Sequence, residues 1–385
     1  MIDPLGWLDE VAEGRDRRGL ARRLVARGSA TPGRVVEAGR ALVNFASNDY
    51  LGLAADPRLA EAGNEAARKY GWGAGASPLV TGWREPHERL AEELARFEGA
   101  EAVALFPTGY AANLGTVAAL VGPGDAVYLD RLNHSCLVAG ARLSGATLRV
   151  YPHADAAHLA EIMARDEGRF RRSLIATDGV FSMDGDLAPV DLLADLAETH
   201  AAMLLVDEAH GTGVVGPDGR GASSARGAAD RVHARVGTLS KALGSIGGFV
   251  AGSRRLVDHL VNHAAALVYS TALPPAAVAA AGEALRIAQA EPHRRERVIE
   301  SAGSLSSRLR ELGWDVPIVA APIVPVILGD TDRAVALSSR LREEGLLAPA
   351  IRPPTVPRGT SRLRVSLSAA HTARDLAALV AAMGR

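Results

Sequence analysis

AMLLVDEAHGTGVVGPDGRG (202–221) and RVGTLSKALGSIGG (235–248) decide the architecture. Each starts with a short apolar run and ends in polar groups. Asp207 and His210 follow the first run; Thr238, Ser240 and Lys241 follow the second. Apolar runs of this length, separated by helical periods, mark strands buried on both faces of a mostly parallel sheet. In open α/β sheets of that kind, ligands bind beyond the carboxyl ends of the strands. An acid at such an end is costly unless it meets something cationic.

The alternation continues outward. Further candidate strands are AVALF (102–106), AVYLD (126–130), TLRVY (147–151), SLIATD (173–178) and GGFVAG (247–252), with helical stretches such as ANLGTVAALV (112–121) and PVDLLADLAETHA (189–201) between them. The first 45 or so residues read as a basic amphipathic helix and one short strand around Val35–Phe45. After YSTALPP (269–275) comes a long alanine-rich helix, then short strands and helices. The expected fold class is α/β, with a large, mostly parallel seven-stranded sheet domain and a smaller C-terminal α+β domain. The expected division is an N-terminal helix-and-strand segment at 1–46, a large domain at 47–275 and a small domain at 276–385.

Composition narrows the function. The 385 residues are 48% hydrophobic with a net charge of -1, which argues against general attraction to nucleic acid or anionic membrane. The N-terminus lacks the apolar core of a signal peptide, and no apolar run reaches bilayer-spanning length. Cys136 is the sole cysteine, so no intrachain disulfide is possible and a cytoplasmic location is expected. DEAH (207–210) also occurs as a magnesium box in some helicases, but Thr-Leu-Ser precedes Lys241, so the phosphate loop such an ATPase needs is missing. GWGAGA (71–76) follows a helix rather than a strand, which removes a dinucleotide loop. His153, Asp155 and His158 in HADAAH have no further ligand cluster around them and read as a solvated loop rather than a metal site.

Lysine occurs only at 69 and 241, while arginine supplies the other 41 basic residues. A chain so biased has replaced lysine wherever a generic positive charge suffices. Only a primary amine forms an imine with a carbonyl, and guanidinium cannot stand in for it. Lys69 ends a polar-faced helix and reads as a surface charge; Lys241 stands at a strand end beside Asp207's strand. Such an acid can pair with a protonated pyridine nitrogen and keep the ring an electron sink. A third strand end, AVALFPTGYAANLG (102–115), runs through Thr108-Gly109-Tyr110 into a helix, where free N–H groups can hold a phosphate. Together the three ends point to pyridoxal 5'-phosphate held as a Schiff base on Lys241.

With those residues assembled, the chain resembles the α-oxoamine synthases, pyridoxal-phosphate enzymes of the aspartate aminotransferase fold (fold type I). The matching stretches are SNDYLGLA (47–54), DRLNHSCL (130–137), GVFSMDGDLAP (179–189), DEAHGTGVVGPDGRG (207–221), TLSKALG (238–244) and YSTALPP (269–275). IRPPTVPRGTSRLRVSLSAAH (351–371) looks most like the branch that joins L-alanine to a pimeloyl thioester in biotin synthesis, with coenzyme A or an acyl carrier protein as thiol carrier. The resemblance implies a decarboxylative Claisen condensation by an acyltransferase acting as a homodimer. It implies Lys241 as the Schiff-base lysine and acid/base, Asp207 opposite the pyridine nitrogen, His210 on the ring oxygen and His134 stacked on the ring. Gly109 and Tyr110 would hold the phosphate, Ser182 and Thr238 would touch the cofactor, and Ser270 and Thr271 would reach the phosphate from the partner subunit. Asn48 and Arg364 would hold the amino-acid carboxylate, although strand alternation puts Arg362 on the same face. Arg22 would meet the distal carboxylate of the acyl chain, and Thr355 would line the substrate site. The sequence departs from relatives at Asp178, often glutamate, at Cys136, usually serine, and at Ser240, glycine in some members. Alternatives are a glycine C-acetyltransferase, a transaminase of the same fold and, from another class, a nucleic-acid-dependent ATPase.

Overall fold

The computed structural model describes residues 3–17, 20–22, 24–28 and 31–384. Helix α1 (Trp7–Arg17) opens the chain, but residues 20–22 and 24–28 are not helical, so the N-terminal helix is shorter than expected. The single strand expected near 35–45 is a hairpin of β1 (Arg34–Glu37) and β2 (Arg40–Asn44). Ala38 and Gly39 between them both take positive φ, 48° and 78°, a pairing that folds an extended run back on itself. Helices α2 (Pro57–Tyr70) and α3 (Glu85–Glu98) lead to the main sheet; Asp56 caps the first, with proline at its opening position.

The main sheet holds β3 (Ala102–Phe106), β4 (Ala126–Asp130), β5 (Thr147–Tyr151), β6 (Ser173–Asp178), β7 (Met203–Asp207), β8 (Ala234–Thr238) and β9 (Gly248–Gly252). Their order is β3-β9-β8-β7-β6-β4-β5, with β9 antiparallel to both neighbours and every other pairing parallel. The crossovers are α4 (Gly109–Leu120), α5 (Ser135–Ser144), α6 (Ala156–Arg165) and α7 (Val190–Thr199). Strand alternation sorts the apolar side chains onto two faces. Val127, Leu129, Leu174, Ala176 and Leu205 join the cluster containing Ala112 and Leu137 of α4 and α5. Tyr128, Ile175, Leu204 and Val206 join Leu159 and Leu193 of α6 and α7. Burial on both faces explains why these strands read as unbroken apolar runs.

The helix Pro275–Ala290 packs against α2 and α3 and leads to the C-terminal elements. These form the antiparallel order β10 (Ile323–Gly329), β13 (Ser361–Ser366), β12 (Ala350–Ile351), while β11 (Leu346–Leu347) pairs in parallel with β2. The N-terminal hairpin is thereby tied to the C-terminal part of the chain. No described helix is long and apolar enough to cross a membrane.

Candidate active site

The last residue of β7 is Asp207, and its register partner on β6 is Asp178; both are buried. Asp207 Oδ1 accepts from the Ala209 N–H at 2.9 Å, and Oδ2 accepts from Asn113 Nδ2 at 2.7 Å. Asp178 Oδ1 accepts the His134 N–H at 3.0 Å. Burial, then the charge of Asp207, pushes the Asp178 carboxyl well above the usual carboxylate range. Lys241 lies three residues beyond β8. Its amine is held below the ordinary lysine range by burial, against the opposing pull of Asp207 and Asp178. A half-buried amine so biased toward its neutral form is a competent nucleophile for a carbonyl.

His210 is buried beside Tyr50, whose hydroxyl lies 2.6 Å from Nδ1. Burial and the charges of Lys241 and Arg364 hold His210 well below its ordinary value, so the ring is neutral. Arg364 Nη2 donates to the Tyr50 oxygen at 3.4 Å, and the Tyr50 proton goes to Nδ1 at 2.6 Å in preference to the more distant Asn48 Oδ1 at 3.3 Å. That leaves His210 its Nε2–H to give. His134 caps α5: its Nδ1 accepts the Cys136 N–H at 3.3 Å and lies 2.8 Å from Cys136 Sγ. Burial pushes that thiol up, so it keeps its proton, and burial lowers His134 too. The ring edge of Tyr110 meets His134 at a centroid distance of 6.3 Å.

Thr108 caps α4, accepting the Ala111 N–H at 3.0 Å, while Gly109 and Tyr110 occupy the first turn, whose N–H groups have no partner four residues back. A Cβ at Gly109 would sit 3.2 Å from the Thr238 side chain, so glycine keeps this corner open. Thr238 Oγ1 donates to Gly247 O at 2.9 Å and lies 2.8 Å from Ser240 Oγ.

Arg364 crosses to this site from β13 and is only 5% exposed. Its Nη1 and Nη2 both reach Asn48 Oδ1 at 3.1 Å, Nε reaches the Ser182 carbonyl at 2.5 Å, and no carboxylate pairs with it among the described residues. A buried guanidinium held only by neutral groups is ready for an anion. Arg362 lies on the same face but pairs with Asp184 and the Met183 carbonyl, so of the two only Arg364 meets Asn48.

Lys241, Asp207, His210, His134, Gly109, Tyr110, Thr238, Ser182, Asn48 and Arg364 therefore gather at one end of the sheet. Arg22 and Thr355 meet elsewhere, 3.4 Å apart, along a cavity of about 700 Å³ that Arg15, Arg352, Leu20 and Ile351 also line. Ser270 and Thr271 follow the short helix Ala265–Val268 and lie near Phe106 and Pro107, with no hydrogen bond to the Gly109 turn among the described contacts.

One reading from sequence changes. The HADAAH segment is not simply solvated, since His153 bridges Asp130 at 3.1 Å and Asp186 at 2.9 Å. Burial works to lower this histidine, but the two carboxylates prevail and raise it to about 10. In the DEAH segment, Glu208 is buried and bonded to the Ala222 and Ser223 N–H groups and to Ser223 Oγ, so its carboxylate is not free for a metal ion. No group of potential metal ligands is found among the described residues. Asn113 and Tyr50 went unnoticed in the sequence; the available signal was one amide within an otherwise apolar helix and one tyrosine between SND and LGL.

The donor set fits pyridoxal phosphate. A half-buried amine of lowered basicity shares the site with a carboxylate at a strand end, and a helix N-terminus opened by a glycine supplies N–H groups. A histidine ring and a neutral imidazole N–H complete the arrangement.

The aminotransferase class I and II family matches residues 40–383. An 8-amino-7-oxononanoate synthase from Anaeromyxobacter sp. (strain Fw109-5) is 54% identical over 381 residues, 99% of this chain and 95% of the relative. A serine palmitoyltransferase structure holding a PLP internal aldimine superposes with a TM-score of 0.94 at 30% identity, covering 100% of this chain and 98% of the other. An 8-amino-7-oxononanoate synthase from Francisella tularensis superposes with a TM-score of 0.77 at 27% identity, covering 89% of this chain and 97% of the other.

Proposed function

Because this chain belongs to the aminotransferase class I and II family, we propose that it uses pyridoxal phosphate to join L-alanine to a pimeloyl thioester. The products are 8-amino-7-oxononanoate, carbon dioxide and the free thiol carrier, a step of biotin synthesis. The observation that carries this reading is the 54% identity to an 8-amino-7-oxononanoate synthase over nearly the whole chain. A fold shared with a serine palmitoyltransferase does not choose the acyl donor; extended sequence agreement with 8-amino-7-oxononanoate synthases supports the pimeloyl thioester.

When bound, the cofactor supplies a carbonyl for an amine and a ring that withdraws electrons from the amino acid's Cα. The chain's own residues do the rest. Lys241 Nζ would hold the cofactor and, once released, would take the proton from the alanine Cα and later return one. Asp207 would keep the proton on the pyridine nitrogen. His210 would give its Nε2–H to the ring oxygen, and His134 would cover the ring face. The Gly109 and Tyr110 N–H groups, with Ser182 and Thr238, would hold the rest of the cofactor.

Asn48 and Arg364 bind the alanine carboxylate, which fixes which Cα bond faces Lys241. Arg22 meets the far carboxylate of the acyl chain, and Thr355 lines its path. Two subunits complete each site, with Ser270 and Thr271 reaching the partner's phosphate. Support for that pairing comes from Trp72, Leu79, Val80 and Tyr269, large apolar side chains that all stand exposed. A buried sole cysteine and a near-neutral charge support a cytoplasmic enzyme.

Supplying alanine with pimeloyl thioester, and separately glycine with acetyl-CoA, then weighing the products by mass spectrometry, tests the reading. Condensation of alanine with the pimeloyl group is the expected outcome. Product from the glycine pair alone would move the chain to another branch of the family.

A further inference from the structure

Asn113 is 1% exposed and lies just over one turn into α4. Its Nδ2 donates in two directions, to Asp207 Oδ2 at 2.7 Å and to the carbonyl of Gly109 at 3.2 Å. Its Oδ1 is buried with no hydrogen-bond partner. Rotating the amide by half a turn would not relieve this, because Oδ1 would then face a carboxylate and a carbonyl, acceptors both. The amide is therefore committed to donation, and one acceptor is left unsatisfied for it.

We propose that Asn113 is a positioning residue for the cofactor: it fixes the Asp207 carboxylate on the pyridine-nitrogen side of the site to the Gly109 turn on the phosphate side. Asp207 must remain an anion while buried beside a second carboxyl, Asp178. A charged donor in place of Asn113 would neutralise Asp207 and compete with the ring for it. A neutral N–H stabilises the anion and leaves its charge available. Asn113 also sets the spacing, because α4 carries both the amide and the phosphate turn. An acid aimed at one end of the ring is thereby held at a fixed offset from the N–H groups at the other. This role depends on pyridoxal phosphate binding and is independent of the acyl donor.

The test is titration of the apoprotein with pyridoxal phosphate, with no acyl donor present, for wild type, Asn113→Ala, Asp207→Asn and the double variant. Asn113→Ala is expected to weaken cofactor binding roughly tenfold and to shift the pH midpoint of the bound cofactor's absorbance. On the Asp207→Asn background, removing Asn113 is expected to cost almost nothing more, since the amide acts through that carboxylate. Asn113→Leu keeps a similar side-chain volume and loses the donor without adding a charge beside Asp207, so it is expected to behave as the alanine variant does and decides the matter if the latter fails to fold. Wild-type affinity with an unmoved absorbance midpoint in the variants, or losses that simply add in the double variant, would overturn the proposal. Tight cofactor binding by a wild type that fails to condense alanine with the pimeloyl thioester would count against the proposed reaction and leave Asn113's role standing.

Discussion

Asp178 and Asp207 stand in register at the ends of neighbouring parallel strands, and both carboxyls are buried. Asp178 is pushed well above its usual value, first by burial and then by Asp207's charge. A raised folded-state acid binds its proton more tightly than the unfolded chain does. Stability is therefore lost as pH climbs from the ordinary aspartate value toward the folded one. Asp178→Asn removes that loss while keeping an oxygen to accept the His134 N–H. The apoprotein of this variant is expected to be about 1–2 kcal/mol more stable than wild type near neutral pH, and equal to it at acid pH. Urea unfolding at both pH values checks this; a variant less stable at neutral pH would sink the argument.

Lys241→Ala removes the one amine at the site. Turnover is expected to vanish while the far-ultraviolet circular dichroism stays close to wild type. Borohydride reduction of wild-type holoprotein is expected to fix the cofactor on the peptide containing Lys241, as peptide mass spectrometry reads. Capture on Lys69, whose amine is exposed and paired with Glu85 at 3.1 Å, would refute the assignment.

How much of this was legible in the sequence follows from what each feature depends on. The seven strands could be read because burial on both faces leaves unbroken apolar runs, and Lys241 because lysine is otherwise almost absent. The N-terminal hairpin could not, because its turn rests on Ala38, and alanine does not announce a positive φ. Arg362 and Arg364 were indistinguishable by alternation; only the approach of the 182–184 loop gives one an acid and the other a neutral carbonyl. Asn113 and Tyr50 act across tertiary contacts of 94 and 160 residues in sequence separation, which no local pattern encodes.

His153 clamps the loop that carries Ser182 by bridging Asp130 and Asp186. Its folded-state value of about 10 exceeds the ordinary 6.5, so its stabilisation is full below the ordinary value and is lost as pH rises through the raised one. His153→Ala is expected to cost roughly 2 kcal/mol at mildly acid pH, and progressively less as the pH approaches the folded value. Chemical denaturation across that range is the check; a difference that does not change with pH would contradict it.

Arg364→Ala and Arg362→Ala are expected to part company. Arg364 meets Asn48 and no carboxylate, so its loss is expected to raise the KM for alanine roughly tenfold or more. Arg362 is tied to Asp184, so its loss is expected to lower the melting temperature with little change in that KM. Matched steady-state kinetics and thermal melts separate the two, and an alanine KM raised equally in both would undo the distinction.

On the proposed reaction, Arg22 would read the far end of the acyl chain. It is exposed, carries no ion pair among the described residues, and meets Thr355 at 3.4 Å along a cavity that Leu20, Ile351 and Pro353 line together with Arg15, Asp16 and Arg352. Apolar patches beside guanidinium groups suit a methylene chain ending in a carboxylate. An exposed charge pair is weak, so the expected effect is modest and confined to binding. Arg22→Ala is expected to raise the KM for a pimeloyl thioester roughly fivefold to tenfold, with little change in kcat. With an uncharged acyl thioester of equal length the same variant is expected to match wild type, because there is no carboxylate to lose. A loss of equal size with both donors would mean that Arg22 shapes the cavity rather than reads the charge.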